Sequence, residues 1–181
     1  YHDPVLLFES VDGLKIKPDG VYVDVTFGGG GHSKEILKRL GAKGKLFAFD
    51  QDKDALQNDI EDDRFTLIPE NFRFIRRFLR LHGVKSVDGI LADLGVSSHQ
   101  FDSAQRGFST RFDADLDMRM NTEDSVSAFE VINEYKEEEL SQVLYQYGEL
   151  RNSRALAREI VLARSVVPIK TSFQLRGVLQ K

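Results

Sequence analysis

The sequence predicts an α/β fold, a doubly wound parallel sheet with helices on both faces. Three observations carry that prediction: short β-rich runs alternate with amphipathic segments, the links between them are short, and a glycine cluster joins the first run to the first helix. Parallel neighbours need crossover connections, and crossovers are usually helices. Val21-Tyr22-Val23-Asp24-Val25, entered through the turn Lys17-Pro18-Asp19-Gly20 and closed by glycines, reads as the first, buried strand. From Gly31 onward Ile36, Leu37 and Leu40 fall at helical spacing until Gly41 stops them. Residues 45–49 form a second strand, 52–59 a second helix with Asp52 as its cap, and 65–68 a third strand. A third helix over 73–82 and a fourth strand over 87–93 complete the alternation.

Beyond Asp93 the pattern changes. The stretch to Asn121 has no sustained period, and four segments follow with apolar residues three and four apart: 125–135, 136–147, 152–165 and 171–179. In the third of these Leu156, Ala157, Ile160 and Val161 make the inward stripe, and Arg151, Arg154 and Arg158 line another face. Two domains are expected, a sheet domain over 1–107 and a helical domain over 108–181.

Composition narrows the function classes. With 181 residues, 41% hydrophobic and 30% charged, the chain has the make-up of an ordinary soluble domain with one good core. No run is long enough to span a membrane, and the opening Tyr1-His2-Asp3-Pro4 lacks the layout of a secretory signal, so a cytoplasmic protein is expected. The absence of cysteine excludes disulfides and thiolate metal sites, and four scattered histidines make a poor zinc set. No metal is expected. The net charge of −4 does not suit a protein that grips nucleic acid over its whole surface. Two segments are basic against that background: Arg73, Arg76, Arg77 and Arg80, and the tail from Leu150, with seven Lys/Arg against the single acid Glu159. Each permits an RNA footprint, and each is equally a solvated helix face.

Open parallel sheets bind ligands at the carboxyl ends of their strands. Three of the four ends present a carboxylate here: Asp24 before the glycines, Asp50 with Asp52 close behind, and Asp93. The glycine loop Thr26-Phe27-Gly28-Gly29-Gly30-Gly31-His32-Ser33 allows close backbone approach and feeds a helix N-terminus. A dinucleotide fingerprint would need glycine where Ser33 stands. S-adenosylmethionine fits better, because its ribose suits an acid at the second strand end and its cationic groups suit a carboxylate-rich pocket.

The segments Tyr1-His2 with Pro4-Val5-Leu6-Leu7, Lys17 to Gly20, Thr26 to Ser33, Asp50-Gln51-Asp52, Asp93-Leu94-Gly95-Val96-Ser97-Ser98, Arg106-Gly107-Phe108-Ser109 and Leu116-Asp117-Met118-Arg119-Met120 occur in order along the chain. In these the sequence resembles the bacterial small-subunit (16S) ribosomal RNA (cytosine-N4) methyltransferases, over essentially its whole length. The resemblance implies a Rossmann-like S-adenosylmethionine-dependent methyltransferase sheet with a helical insertion for substrate recognition. It also implies cofactor contacts from Gly30, Gly31, His32, Asp50, Phe72, Asp93 and Gln100, with Phe72 near the adenine. The substrate it implies is small-subunit ribosomal RNA, free or in the assembled subunit. Asp93 is the expected catalytic residue, accepting a hydrogen bond from the cytosine amino group, a task the carbonyls of the loop after it could share.

Members of that family are longer, and their sheet is fuller than the four strands counted here. The chain therefore reads as an N-terminal portion, with intact cofactor-binding residues, poor turnover alone, and a fourth strand left as an edge for association. A nucleotide-cofactor oxidoreductase and a catalytically silent binding domain are the competing classes. Asp113, Asp115, Asp117 and Asp124 imitate calcium-loop spacing, but Met118 stands where the loop needs glycine, so residues 111–119 read as a salt-bridged or substrate-facing loop.

Overall fold

In a computed structural model, which describes residues 4–180, β1 (Val21–Asp24), β2 (Lys45–Phe49), β3 (Phe65–Ile68) and β4 (Gly89–Leu91) form one parallel sheet in the order β3-β2-β1-β4. Tyr1 and His2 of the opening signature lie outside the described residues. The chain divides into two compact units between Gly95 and Val96. The helices are α1 (Leu7–Gly13), α2 (Gly31–Arg39), α3 (Ile75–Leu81), α4 (Ser98–Asp102), α5 (Ala128–Glu134), α6 (Glu137–Gln146), α7 (Ser153–Arg164) and α8 (Ser172–Leu179). The α/β class and the parallel sheet are as the sequence predicts.

Strand side chains alternate between two apolar layers, the signature of a sheet covered on both faces. Tyr22, Leu46, Ala48, Phe65 and Leu91 pack with Val11 of α1 and Ile36 and Leu37 of α2. Val23, Phe47, Phe49 and Ile68 face the other way, toward Ile75, Phe78 and Leu79 of α3. Gly20 and Gly89 are fixed by Tyr22: an added Cβ would lie 2.7 Å and 3.1 Å from its ring, and its hydroxyl accepts the N–H of Lys17 at 2.8 Å. Asp88 accepts from Lys17 Nζ and from the N–H of Val21, both at 2.9 Å, and so ties the entrance of β1 to that of β4.

Three local expectations are corrected. The second helix shrinks to a single 3-10 turn over Ala55–Asn58. Asp50 and Asp52 each accept the N–H two residues on, at 2.9 and 3.1 Å, and such side-chain bonds compete with helix. Asp52 is therefore not the cap expected of it: the 3-10 turn has Asp54 at its N-cap, without a side-chain cap bond, and the Asp52 carboxylate holds the N–H of Asp54 one step earlier. The fourth strand is shorter than 87–93, because after Leu91 the chain is claimed by Thr26, whose Oγ1 accepts the N–H of Asp93 at 2.8 Å. Helix α1 was not expected at all; it begins from Leu6 at a positive φ of 50° without a side-chain cap. As expected, β4 lies at the sheet edge, with Ile90 51% exposed.

The second unit has its own core, Leu116, Ile132, Leu140, Ala157, Ile160 and Ile169. Ala157 and Ile160 of the foreseen α7 stripe are fully buried, while Leu156 and Val161 are half-buried and Arg151, Arg154 and Arg158 exposed. Arg164, counted in the basic tail, is instead used internally: its guanidinium donates to the carbonyls of Ile132 at 2.6 Å and Tyr135 at 2.5 Å, closing the end of α5. Residues 111–119 are salt-bridged, by Arg119 to Asp117 at 2.6 Å and Arg111 to Asp102 at 2.5 Å. The Arg119 guanidinium, chiefly through its hydrogen bond, holds the Asp117 carboxyl below the usual carboxylate range. Among the described residues no helix is long and apolar enough to cross a membrane, and no group of three or more His, Asp or Glu could hold a metal ion.

Candidate functional site

The carboxyl ends of β1, β2 and β4 are bound together by the glycine loop. Leaving β1, the N–H of Val25 donates to Leu91 O at 2.9 Å and that of Phe27 to Phe49 O at 3.0 Å, so the loop starts as a continuation of the sheet in both directions. The Phe27 ring is buried against Phe65, which anchors the loop from below. Gly28 and Gly30 then take φ of 52° and 75°, the left-handed region where glycine carries no Cβ strain. Gly28 is gripped on both sides: its N–H donates to Asp50 Oδ2 at 2.8 Å, and its carbonyl accepts from Asn58 Nδ2 at 3.0 Å. Gly30 is the N-cap of α2, and among the described residues no side chain caps the helix end, which leaves its first amides available to a ligand.

The three carboxylates foreseen at this edge have different fates. Asp24 is wholly buried, and accepts from Ser33 Oγ at 2.8 Å and from the N–H of Thr26 at 3.0 Å. It fastens α2 and the glycine loop to β1 from inside and is not open to a ligand. Burial pushes its carboxyl above the usual carboxylate range against those bonds. Asp50 is half-buried and holds the loop through Gly28 and the following turn through Asp52; here too burial raises the carboxyl. Asp93 is exposed, and its backbone is fixed by Thr26 Oγ1.

His32, in the first turn of α2, is only 6% exposed, and among the described residues its Nε2 has no hydrogen-bond partner. It lines a cleft of about 410 Å³ with Ala92 and Asp93 after β4 and with Leu6 and Ser10 of the N-terminal segment. A buried nitrogen without a partner beside an open carboxylate is a place where a polar ligand would be satisfied. Phe72, 41% exposed, opens the 3-10 turn after β3. Its neighbour Asn71 donates to Gln51 Oε1 at 2.7 Å, so this turn is tied to the residue following Asp50.

Gly30, Gly31, His32, Asp50, Phe72 and Asp93 thus all stand at the carboxyl edge of one sheet. Gln100 belongs to the second unit, where it forms a reciprocal cap of α4: Ser97 N–H donates to its Oε1 at 3.0 Å, and its own N–H donates to Ser97 Oγ at 3.1 Å. Two residues that shape the site were not foreseen. Thr26 links Asp24 to Asp93, and Asn58 holds the Gly28 carbonyl. Thr26 stood inside the glycine cluster; nothing in the sequence marked Asn58.

The whole chain, residues 1–181, matches the MraW methylase family. It is 68% identical over 181 residues to the ribosomal RNA small subunit methyltransferase H of Flavobacterium johnsoniae, covering 100% of this chain and 60% of that protein. The protein of that name from Christiangramia forsetii is 68% identical over 180 residues, covering 99% of this chain and 60% of the relative. The one from Bacteroides thetaiotaomicron is 58% identical over 171 residues, covering 94% of this chain and 56% of the relative. The chain therefore spans about 60% of the length of these relatives.

Proposed function

The chain belongs to the MraW methylase family, and from that premise we propose S-adenosylmethionine-dependent methylation of the exocyclic N4 of a cytidine in small-subunit ribosomal RNA. The observation that carries the reading is the joint at one sheet edge: a glycine loop locked by Asp50, the exposed Asp93, and the unpartnered Nε2 of buried His32. A pyrophosphate there would face two carboxylates, whereas a cationic sulfonium cofactor complements them.

S-adenosylmethionine, when bound, supplies a methyl group already attached to a good leaving group. The chain's residues then chiefly bind and orient. Asp50, its inner lone pairs taken by Gly28 and Asp52, has outward lone pairs for the ribose hydroxyls. Gly31 and His32 offer the first amides of α2, Gly30, whose own N–H is taken by the Phe27 carbonyl at 2.8 Å, a Cβ-free surface for close approach, and Phe72 an apolar face for the adenine. Gln100, on the family resemblance, is a further cofactor contact. Asp93 would accept the cytosine N4–H, draw the nitrogen lone pair out of the ring, and take the proton as the new C–N bond forms. The helices from residue 108 onward would hold the RNA, with Arg151, Arg154 and Arg158 on its phosphates. The cytosine must be unstacked to reach the edge, which favours a single-stranded or loosely paired target. The proposed setting is the cytoplasm.

Calorimetric titration tests the cofactor: S-adenosylmethionine or its demethylated product should bind the chain and NAD should not. Binding of NAD alone would make this an oxidoreductase sheet, and binding of neither a silent domain. Mapping of modified nucleosides in small-subunit RNA by mass spectrometry, with and without the whole protein, tests the substrate. For Asp93 the expected result is that Asp93→Asn slows methyl transfer by the whole protein about tenfold at saturating cofactor, below the usual general-base effect because a sulfonium displacement asks little of a base. Unchanged turnover would remove Asp93 from the chemistry.

A further inference from the structure

Helix α3 carries a feature that the methyl-transfer site does not use. Its apolar side, Ile75, Phe78 and Leu79, packs on the β1–β2 layer of Val23, Phe47 and Phe49. Its other side presents Arg73, in the preceding 3-10 turn, with Arg76, Arg77 and Arg80, all four exposed. At spacings of three, four and seven residues these share one helical face. Arg73 and Arg77 are steered by the rings of Phe74 and Phe78, with guanidinium carbons 4.6 and 5.8 Å from the ring centroids. Among the described residues none of the four makes an ion pair. Residues 71–87 contain no acid, and Lys85 adds a further cation at the far end. The nearest acid after the stretch, Asp88, is already bound to Lys17 at 2.9 Å.

A solvated face on a chain of net charge −4 would mix signs. Four arginines at i, i+3, i+4 and i+7 repel one another and weaken the helix they sit on. An anionic partner across that face would relieve the repulsion. Arginine's planar fork suits phosphate in particular. The face has no apolar centre, which a packed protein interface needs, and the helix's apolar side is committed to the core and unavailable to a membrane.

We infer that the Arg73, Arg76, Arg77 and Arg80 face of α3 docks the phosphate backbone of the RNA substrate, giving the sheet unit an RNA footprint of its own. This rests on the ribosomal RNA reading above.

The test uses the 181-residue chain and a short fluorescein-labelled single-stranded RNA, titrated by anisotropy at several salt concentrations. Arg76→Gln, Arg77→Gln and Arg80→Gln are combined in one variant. A control variant removes the same charge elsewhere, at the exposed Lys15, Lys43 and Lys45. The stripe variant should bind RNA more weakly, with a slope of log K against log salt shallower by about 2, roughly 0.7 for each lost contact to a single strand. Its thermal midpoint should not fall, and the control should keep the wild-type slope. The proposal is overturned if the wild type does not bind the RNA, if the stripe variant keeps the wild-type slope, or if the control loses as much. It is also overturned if polyglutamate of equal charge displaces the RNA as well as unlabelled RNA does, since the face would then read acidic protein. Titrating both variants with S-adenosylmethionine separates this from the parent reading: unchanged cofactor affinity with weakened RNA binding supports the stripe. Absent cofactor binding in the wild type sinks the methyltransferase reading and leaves the stripe to the RNA titration.

Discussion

Asp24→Ala is expected to destabilise the sheet unit by roughly 3 kcal/mol, whereas Asp24→Asn leaves it folded and, at neutral pH, no less stable. The alanine variant strands the buried Ser33 Oγ and the half-buried N–H of Thr26, and opens a void beneath the glycine loop. Asparagine keeps an acceptor for Thr26, and the Ser33 hydroxyl can turn from donor to acceptor to meet the new amide. It also removes a charge from a site with no exposed surface. Burial holds the Asp24 pKa above its ordinary 3.8 in the folded chain. The folded state therefore keeps the proton longer than the unfolded chain, and the contribution of this group to stability falls as pH rises from the ordinary value through the raised one. Asp50 acts in the same sense, and Asp62, lowered to about 2 by its bond to Arg64, in the opposite sense. The informative quantity is thus the difference between variant and wild type, which should move in favour of Asp24→Asn with rising pH. Urea melts across the acid range measure it, and a difference that stays flat would mean that Asp24 ionises without cost.

That Asp24 is a fastening and not a ligand was only half readable from strand parity. Tyr22 and Asp24 share a face, the one α2 covers, while Asp50 follows its strand and Asp93 follows β4. Parity says which face a side chain points to; it takes the helix packed above to say whether that face is closed. The first three strands were legible almost to the residue because β-rich runs end there at glycine or polar turns. The helix over 52–59 was not, because its periodicity competes with Asp50, Asp52 and Asn58, whose side chains bond to nearby or distant backbone. Helix α1 escaped because Phe8 is 59% exposed, leaving a weak apolar stripe, and no residue caps its start. The pattern Ser97-x-x-Gln100 is a capping-box signature, and it becomes one, although the family resemblance drew attention to Gln100 for another reason.

Asp50→Ala should lower affinity for the proposed cofactor by about 10-fold to 100-fold, the equivalent of one charge-assisted hydrogen bond of about 1.5–3 kcal/mol. Two losses combine. The outward lone pairs that would receive the ribose hydroxyls disappear, and the N–H groups of Gly28 and Asp52 lose their acceptor, so the loop that should cradle the ligand keeps only the Asn58 side of its grip on Gly28. Asp50→Asn is expected to be nearly as damaging, unlike the same exchange at Asp24. Both Asp50 oxygens face backbone N–H donors, which cannot reverse as a serine hydroxyl can, so an amide must set its own N–H against one of them. Burial also raises the Asp50 carboxyl, so cofactor affinity should begin to fall at a higher pH than an ordinary carboxylate would give, as protonation removes the charge. Titration of both variants with the demethylated cofactor, which needs no turnover, reads the effect directly. An Asp50→Asn chain that binds like the wild type would show that the carboxylate neither positions the glycine loop nor meets the ligand.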